Sequence, residues 1–167
     1  IFLLNPSGVV FGKTAQVDVG GLVASSLNLL DSDFMSGKYN FYKNGLAGSV
    51  TNEGQINAIP GGVVALIAPK VINDGDITAN SGSVALAAGN KVSLDFAGDG
   101  LIKLNIDEAA VDAQVANKGL IKADGGLVVM TAKAAGALTS LVVNNEGIIE
   151  ANTLSTKNGR IILDGGD

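Results

Sequence analysis

Asn73-Asp74-Gly75-Asp76-Ile77-Thr78-Ala79 is one copy of a pattern, Asn-x-Gly-x-Ile-x-Ala, that occurs three more times. The other copies are Asn52-Glu53-Gly54-Gln55-Ile56-Asn57-Ala58, Asn117-Lys118-Gly119-Leu120-Ile121-Lys122-Ala123 and Asn145-Glu146-Gly147-Ile148-Ile149-Glu150-Ala151. Ile and Ala stand two residues apart, so they share one face of a strand. Asn and Gly supply the corner before it. Gly tolerates positive φ, and a buried Asn amide can bond its counterpart on a stacked neighbour. A second apolar strand follows each copy: Gly62 to Ile67, Ser83 to Ala87, Gly126 to Met130 and Gly159 to Leu163. Short runs rich in branched residues or Ala and bounded by Gly read as strands.

Successive Asn residues lie 21, 44 and 28 apart. The 44 reads as two periods of about 22 residues, and the 28 as one period with an insertion at Ala134 to Ser140. The skipped copy then falls between Lys91 and Val115. Two alternating runs there, Val92 to Phe96 and Leu101 to Ile106, flank Gly98-Asp99-Gly100 and read as a degenerate coil. Short strands at this period, with Gly and Asn corners, predict an all-β parallel β-helix, a β-solenoid of about seven coils standing roughly 35 Å tall. The right hand is the default for parallel crossovers. A leucine-rich repeat lacks its Leu-x-x-Leu-x-Leu frame here, and a β-sandwich gives no reason for a fixed phase.

Residues 31–48 break the period. They hold four of the chain's aromatics, Phe34, Tyr39, Phe41 and Tyr42, and alternation predicts an extra-helical hairpin with Tyr39 and Phe41 on one side and Asn40 and Tyr42 on the other. Two readings stand side by side: aromatics that cover the flank of the solenoid, or a recognition patch, since exposed aromatics on a rigid scaffold make binding anchors. Residues 1–167 otherwise read as a single β-helix domain.

Composition narrows the function. The 167 residues are 47% hydrophobic, with no His, Cys or Trp, so the usual zinc, copper and iron sites and His-assisted nucleophiles are excluded. Neither metal nor cofactor is expected. Eleven scattered bases against 16 acids argue against nucleic acid, which needs a concentrated basic face. No apolar run approaches the ~18 residues of a spanning helix. The opening Ile1-Phe2-Leu3-Leu4 has neither Met nor a basic stretch ahead of it, and reads as part of a longer protein rather than a signal peptide. A first coil without a cap leaves a sheet edge open, so independent folding is not expected of this stretch.

Asp95, Asp99, Asp107, Glu108 and Asp112 fall close together, and paired carboxylates could serve as acid and base on a polysaccharide. Against that carbohydrate-active alternative stand a single arginine, Arg160, and Gly-rich turns where Asp is common for conformational reasons. No Asp-x-Asp-x-Asp-Gly frame for calcium occurs. Asn5-Pro6-Ser7-Gly8 is a turn signal between two apolar runs. The fixed phase of Asn52, Asn73, Asn117 and Asn145 with Gly points to a structural ladder rather than a ligand row.

Ile1 to Gly12, with Asn5-Pro6-Ser7-Gly8 at its centre, followed by Val17-Asp18-Val19-Gly20-Gly21-Leu22-Val23-Ala24-Ser25-Ser26-Leu27, resembles the secretion domain of two-partner-secretion exoproteins. These are the filamentous-haemagglutinin-like proteins, whose domain is also called the haemagglutination activity domain. The family motif is Asn-Pro-Asn-Gly, and Ser7 stands where Asn is usual. The resemblance runs through the later repeats and covers essentially the whole chain, without the family's capping segment and signal peptide. It implies export through the periplasm, recognition of the secretion domain in an extended form by the periplasmic domains of an outer-membrane β-barrel transporter, and folding at the bacterial surface, with Asn5, Pro6, Ser7 and Gly8 part of the secretion determinant either by direct contact or by shaping the first coils. It implies a large exoprotein of adhesin or haemagglutinin type in which this domain acts by binding and export, without catalysis; the alternative is a module that itself binds a host-cell glycan or protein through the excursion from Phe34 to Tyr42.

Overall fold

The computed structural model describes residues 1–96, 102–135, 142–154 and 157–165. β1 (Phe2–Leu4), β2 (Val9–Phe11) and β3 (Gln16–Val19) make the first coil. β4 (Leu22–Ser25) opens the second; the chain then leaves through α1 (Asp31–Met35) and β5 (Tyr39–Tyr42) and returns as β6 (Val50–Asn52) and β7 (Gln55–Ala58). β8 (Val63–Ala68), β9 (Lys70–Asn73) and β10 (Asp76–Thr78) form the third. β11 (Ser83–Ala88) opens the fourth, β12 (Lys91–Phe96) and β13 (Ile102–Glu108) depart from it, and β14 (Gln114–Asn117) and β15 (Leu120–Lys122) close it. β16 (Leu127–Ala132), β17 (Val143–Asn145) and β18 (Ile148–Glu150) complete the fifth, and β19 (Arg160–Asp164) begins a sixth.

Like strands stack in parallel into three faces: β1-β4-β8-β11-β16-β19, β2-β6-β9-β14-β17 and β3-β7-β10-β15-β18. The fold is a parallel β-helix. Its described part has five complete coils and the opening strand of a sixth, not about seven. The difference lies in Lys91 to Val115, which is no coil: β12 and β13 pair antiparallel outside the solenoid. Asn117 sits directly on Asn73, in neighbouring rungs. The 44-residue spacing is therefore one coil plus an excursion whose length happens to match a coil. The excursion has no Asn-Gly corner, and its alternation serves to cover an outer surface.

The extra-helical hairpin is thus β12–β13, and residues 31–48 hold no hairpin of their own. They contribute the short helix α1 and one strand, β5, which pairs with β12 from two coils away. The expected insertion at Ala134 to Ser140 is described only at Ala134, which bridges to Ala110, and Ala135, whose N–H donates to Ala110 O; residues 136–141 lie outside the described residues.

The three faces read differently in sequence because they are buried differently. Strands of the first face are near-continuous apolar runs, Val-Val-Ala-Leu-Ile-Ala in β8 and Ser-Val-Ala-Leu-Ala-Ala in β11. Their inward residues, such as Val64, Leu66, Val84 and Leu86, join the solenoid core, while Ala65, Ile67, Ala85 and Ala87 lie under the extra-helical sheet. A sheet covered on both sides needs no polar alternation. The third face keeps it, as in Gln55-Ile56-Asn57-Ala58, because its outer side meets water. Inside, Ile56, Ile77 and Ile121 form one fully buried column. Each such side chain stabilises the fold by about 1.5–3 kcal/mol through burial. The corner glycines are required by the same stacking: a Cβ on Gly75 or Gly119 would run into the carbonyl oxygen of the glycine one coil earlier.

Candidate functional site

Among the described residues the excursions that carry strands leave the solenoid between its first and second faces. In the first coil that corner is the four-residue turn Asn5-Pro6-Ser7-Gly8; in the second it is the mouth of the excursion, which opens after Ser25 and closes before Val50. The turn is closed by the Gly8 N–H donating to Asn5 O at 2.9 Å, and Asn5 Oδ1 accepts from the Ser7 N–H at 3.0 Å. Pro at the second position and Asn at the first suit this geometry. The turn is then fastened to the coil above. Asn5 N–H donates to Ser25 O (3.0 Å), Gly48 N–H to Pro6 O (2.8 Å) and Val9 N–H to Ser49 O (3.0 Å). Ser26 Oγ donates to Gly48 O at 2.6 Å and so draws the two sides of the mouth together.

Gly8 has a φ of 109°, and a Cβ there would press on the Ser49 carbonyl, so its place admits only Gly. A Cβ on Gly48 would collide with the backbone of Ser7. Against this fixed backbone the side chains of Asn5, Pro6 and Ser7 are all exposed. Ser7 contributes its N–H to the turn, so the departure from Asn at this position leaves the turn intact. The corner is therefore a rigid, solvent-facing tripeptide.

The aromatics divide. Phe41 is fully buried, facing Val92 across β5 and β12. Tyr39 and Tyr42 are half-buried, and Phe34 is 42% exposed. Two residues outside the predicted four join them: Phe2 lies edge-on to Phe34 (5.1 Å between centroids) and stacks on Tyr39 (5.2 Å), and Phe96 meets Tyr39 edge-on (5.1 Å). Edge-on and offset pairs add to burial. The cluster ties β1, α1, β5 and β12 together. The sequence offered one clue: Phe2 and Phe96 are aromatics in a chain with only seven.

Asn52, Asn73, Asn117 and Asn145 stand in register at the corner between the second and third faces. Asn52 Nδ2 donates to Asn73 Oδ1 (2.9 Å), Asn73 Nδ2 to Asn117 Oδ1 (2.8 Å) and Asn117 Nδ2 to Asn145 Oδ1 (2.8 Å). The first three are buried, and Asn145 is exposed at the end of the ladder. Sequence reading missed a second ladder between the third and first faces. Asn80 Oδ1 accepts from Asp124 N–H (3.1 Å), and Asp124 Oδ1 accepts both the backbone and side-chain N–H of Asn152 (2.9 Å each). Lys122 Nζ lies 3.4 Å from Asp124 and 3.9 Å from Glu150. The backbone hydrogen bond from Asn152 leads in holding the Asp124 carboxyl below the usual range, burial opposes it, and the Asn152 side chain and Lys122 add to the lowering.

The acidic residues do not converge. Asp107 accepts from Ser93 Oγ and Asn105 Nδ2, Asp95 lies on a neighbouring strand opposite Lys103, and Asp99 is outside the described residues. Among the described residues no group of three or more carboxylates is placed to hold a metal ion. No helix among them is long and apolar enough to cross a membrane.

The family model for the TPS secretion domain matches residues 1–167. The chain belongs to this family. The secretion domain is 36% identical over 176 residues to a heme/hemopexin-binding protein of Haemophilus influenzae strain ATCC 51907, covering all of this chain and 19% of that protein. It is 33% identical to a second H. influenzae heme/hemopexin-binding protein, over 98% of this chain and 20% of the relative. The chain thus spans about a fifth of these relatives' length. The solved HMW1 secretion domain from H. influenzae superposes with a TM-score of 0.83 at 30% identity, over 96% of this chain and 41% of that one. A two-partner secretion domain marks a protein as exported, to the surface or the medium, and implies an outer-membrane transporter as its partner. The family is one of secretion domains and not of enzymes.

Proposed function

We propose that the secretion domain delivers a large bacterial exoprotein, of adhesin or haemagglutinin type, to an outer-membrane β-barrel transporter. The transporter's periplasmic domains read it in the periplasm, and it acts by binding alone, without catalysis or cofactor. The observation that carries this reading is the Asn5–Gly8 corner, where exposed side chains ride on a backbone that the next coil holds in place. In the unfolded chain the same residues form a local turn needing no distant partner, so the determinant is available in either state. Contacts between neighbouring coils suit folding that propagates as chain emerges at the surface.

The longer protein's activity is a separate matter. The names of the two H. influenzae relatives favour haem or hemopexin capture. A host glycan or protein contact within the domain rests on Phe34, the most exposed of the four predicted aromatics, and Phe34→Ala should then abolish binding to host-cell glycans without affecting export.

The test is secretion of the exoprotein, with its native leader, in cells with and without the barrel. Export that needs the barrel, and that falls about tenfold in the Asn5→Ala/Pro6→Ala double variant, supports the reading; that drop corresponds to about 1.4 kcal/mol of binding. Export indifferent to the barrel sinks it. Circular dichroism of the double variant separates contact from shaping: a folded but unexported variant has lost a contact.

A further inference from the structure

The outer side of the first face is only partly covered. One outward column runs Val23, Ala65, Ala85, Val129, Ile162 from β4 to β19. β5, β12 and β13 bury its first three members. Cover stops at β13: Val129 is half-buried and Ile162 is 38% exposed. β13 ends the sheet β13-β12-β5: the Ile102 N–H is taken by Ser83 Oγ (3.3 Å), and beyond Ile102 no further strand among the described residues pairs with its outer edge. Two adjoining hollows of about 330 and 260 Å³ follow this edge, with Val129, Thr131 and Ile162 as floor and Leu104 as wall.

We propose that this groove is a strand-acceptor site, which binds an extended acidic segment of a partner protein as a fourth strand beside β13. Three features carry the assignment. An unpaired strand edge offers a row of donors and acceptors that an extended peptide satisfies, and an adjacent apolar floor selects its side chains. The strands that cover the rest of the face have a common pattern, apolar inward and polar outward, as in Ile102-Lys103-Leu104-Asn105-Ile106. A fourth strand with alternate apolar residues would set them on Val129 and Ile162. The groove is also lined by Lys103, Lys133 and Arg160 against Asp164, whereas the chain as a whole has 11 bases and 16 acids. That local reversal selects an acidic ligand.

This surface is separate from the Asn5–Gly8 corner, and its test does not read export. The secreted, folded exoprotein that carries this domain is titrated with a synthetic heptapeptide alternating Glu and Val and with its Lys-Val counterpart, by calorimetry and amide hydrogen exchange. The acidic peptide should bind and the basic one should not. Binding should weaken as salt is raised, and the β13 amides facing away from β12 should gain protection. Val129→Glu should weaken binding about tenfold; Lys133→Glu at the rim should do the same if the first variant fails to fold. Equal binding of both peptides, no binding at millimolar concentration, or protection confined to other strands overturns the proposal. So does full protection of those amides in the free domain, which would mean the chain already covers the edge.

Discussion

Ile77 and Phe41 are both fully buried, but their surroundings have nothing in common. Ile77 lies between Ile56 and Ile121, the same residue in the coils before and after it. Phe41 has no counterpart: it faces Val92 and shares its cluster with Leu27, Ile67 and Ala87. The solenoid is held by repetition, and each rung depends only on its neighbours. The extra-helical sheet is held by unlike residues from the second and fourth coils, which must both be in place before it can form. Quasi-one-dimensional stacks can lose one part without the rest, so the two regions should respond differently to damage.

The largest effect is expected from Phe41→Ala, about 3–5 kcal/mol for a fully buried Phe. The loss should be confined to one region. Hydrogen exchange should show β5, β12 and β13 unprotected while β7, β10 and β15 keep their protection. If urea unfolds this variant in one transition with uniform loss of protection, the two regions are a single cooperative unit and the contrast fails.

Asn73→Ala strikes the other region. It leaves Asn117 Oδ1 without its donor in a buried corner and takes one bond from Asn52 Nδ2, which keeps Gly54 O and Asp76 O; about 1–3 kcal/mol for the unmet group and about 1 kcal/mol for the lost bond put the cost at about 2–4 kcal/mol. Asn145→Ala, at the exposed end of the same ladder, should cost under about 1 kcal/mol, as a typical hydrogen bond with water available. Urea midpoints of the two variants check the gradient. Equal costs would mean that the amides do not act as a buried ladder.

The same contrast decides what could be read in the sequence. Stacking in register demands like residues at like positions, so the Ile, Gly and Asn columns appear as a motif with a fixed phase. Nothing comparable marks the pairing of Phe41 with Val92, since antiparallel strands joined across distant coils repeat no residue. The β12–β13 hairpin reads as a coil because its length imitates one. Its alternation of Val92, Leu94, Ile102 and Leu104 fits a strand inside or outside the solenoid equally well. The Asn5–Gly8 turn was legible because its chemistry is local. Its attachment to Gly48 and Ser49 was not, because those residues face it across an excursion rather than at the regular period.

The smallest effect is expected at Asp124, and its sign is fixed by direction. The Asn152 backbone hydrogen bond leads in depressing the folded carboxyl, burial opposes it, and the Asn152 amide and Lys122 assist. A carboxyl whose pKa is lower folded than unfolded contributes its stability fully above the unfolded value, near 4. That contribution disappears as pH falls through the lower, folded value. Asp124→Asn keeps an oxygen that can accept from Asn152 but removes the charge beside Lys122. The variant should therefore be slightly less stable than the parent at pH 7, and the gap should narrow as the solution is acidified below about pH 4. Urea midpoints from pH 2 to 7 measure this. A gap unchanged by acid would show that the second ladder holds its corner through hydrogen bonds alone, by the same neutral chemistry as the asparagine ladder.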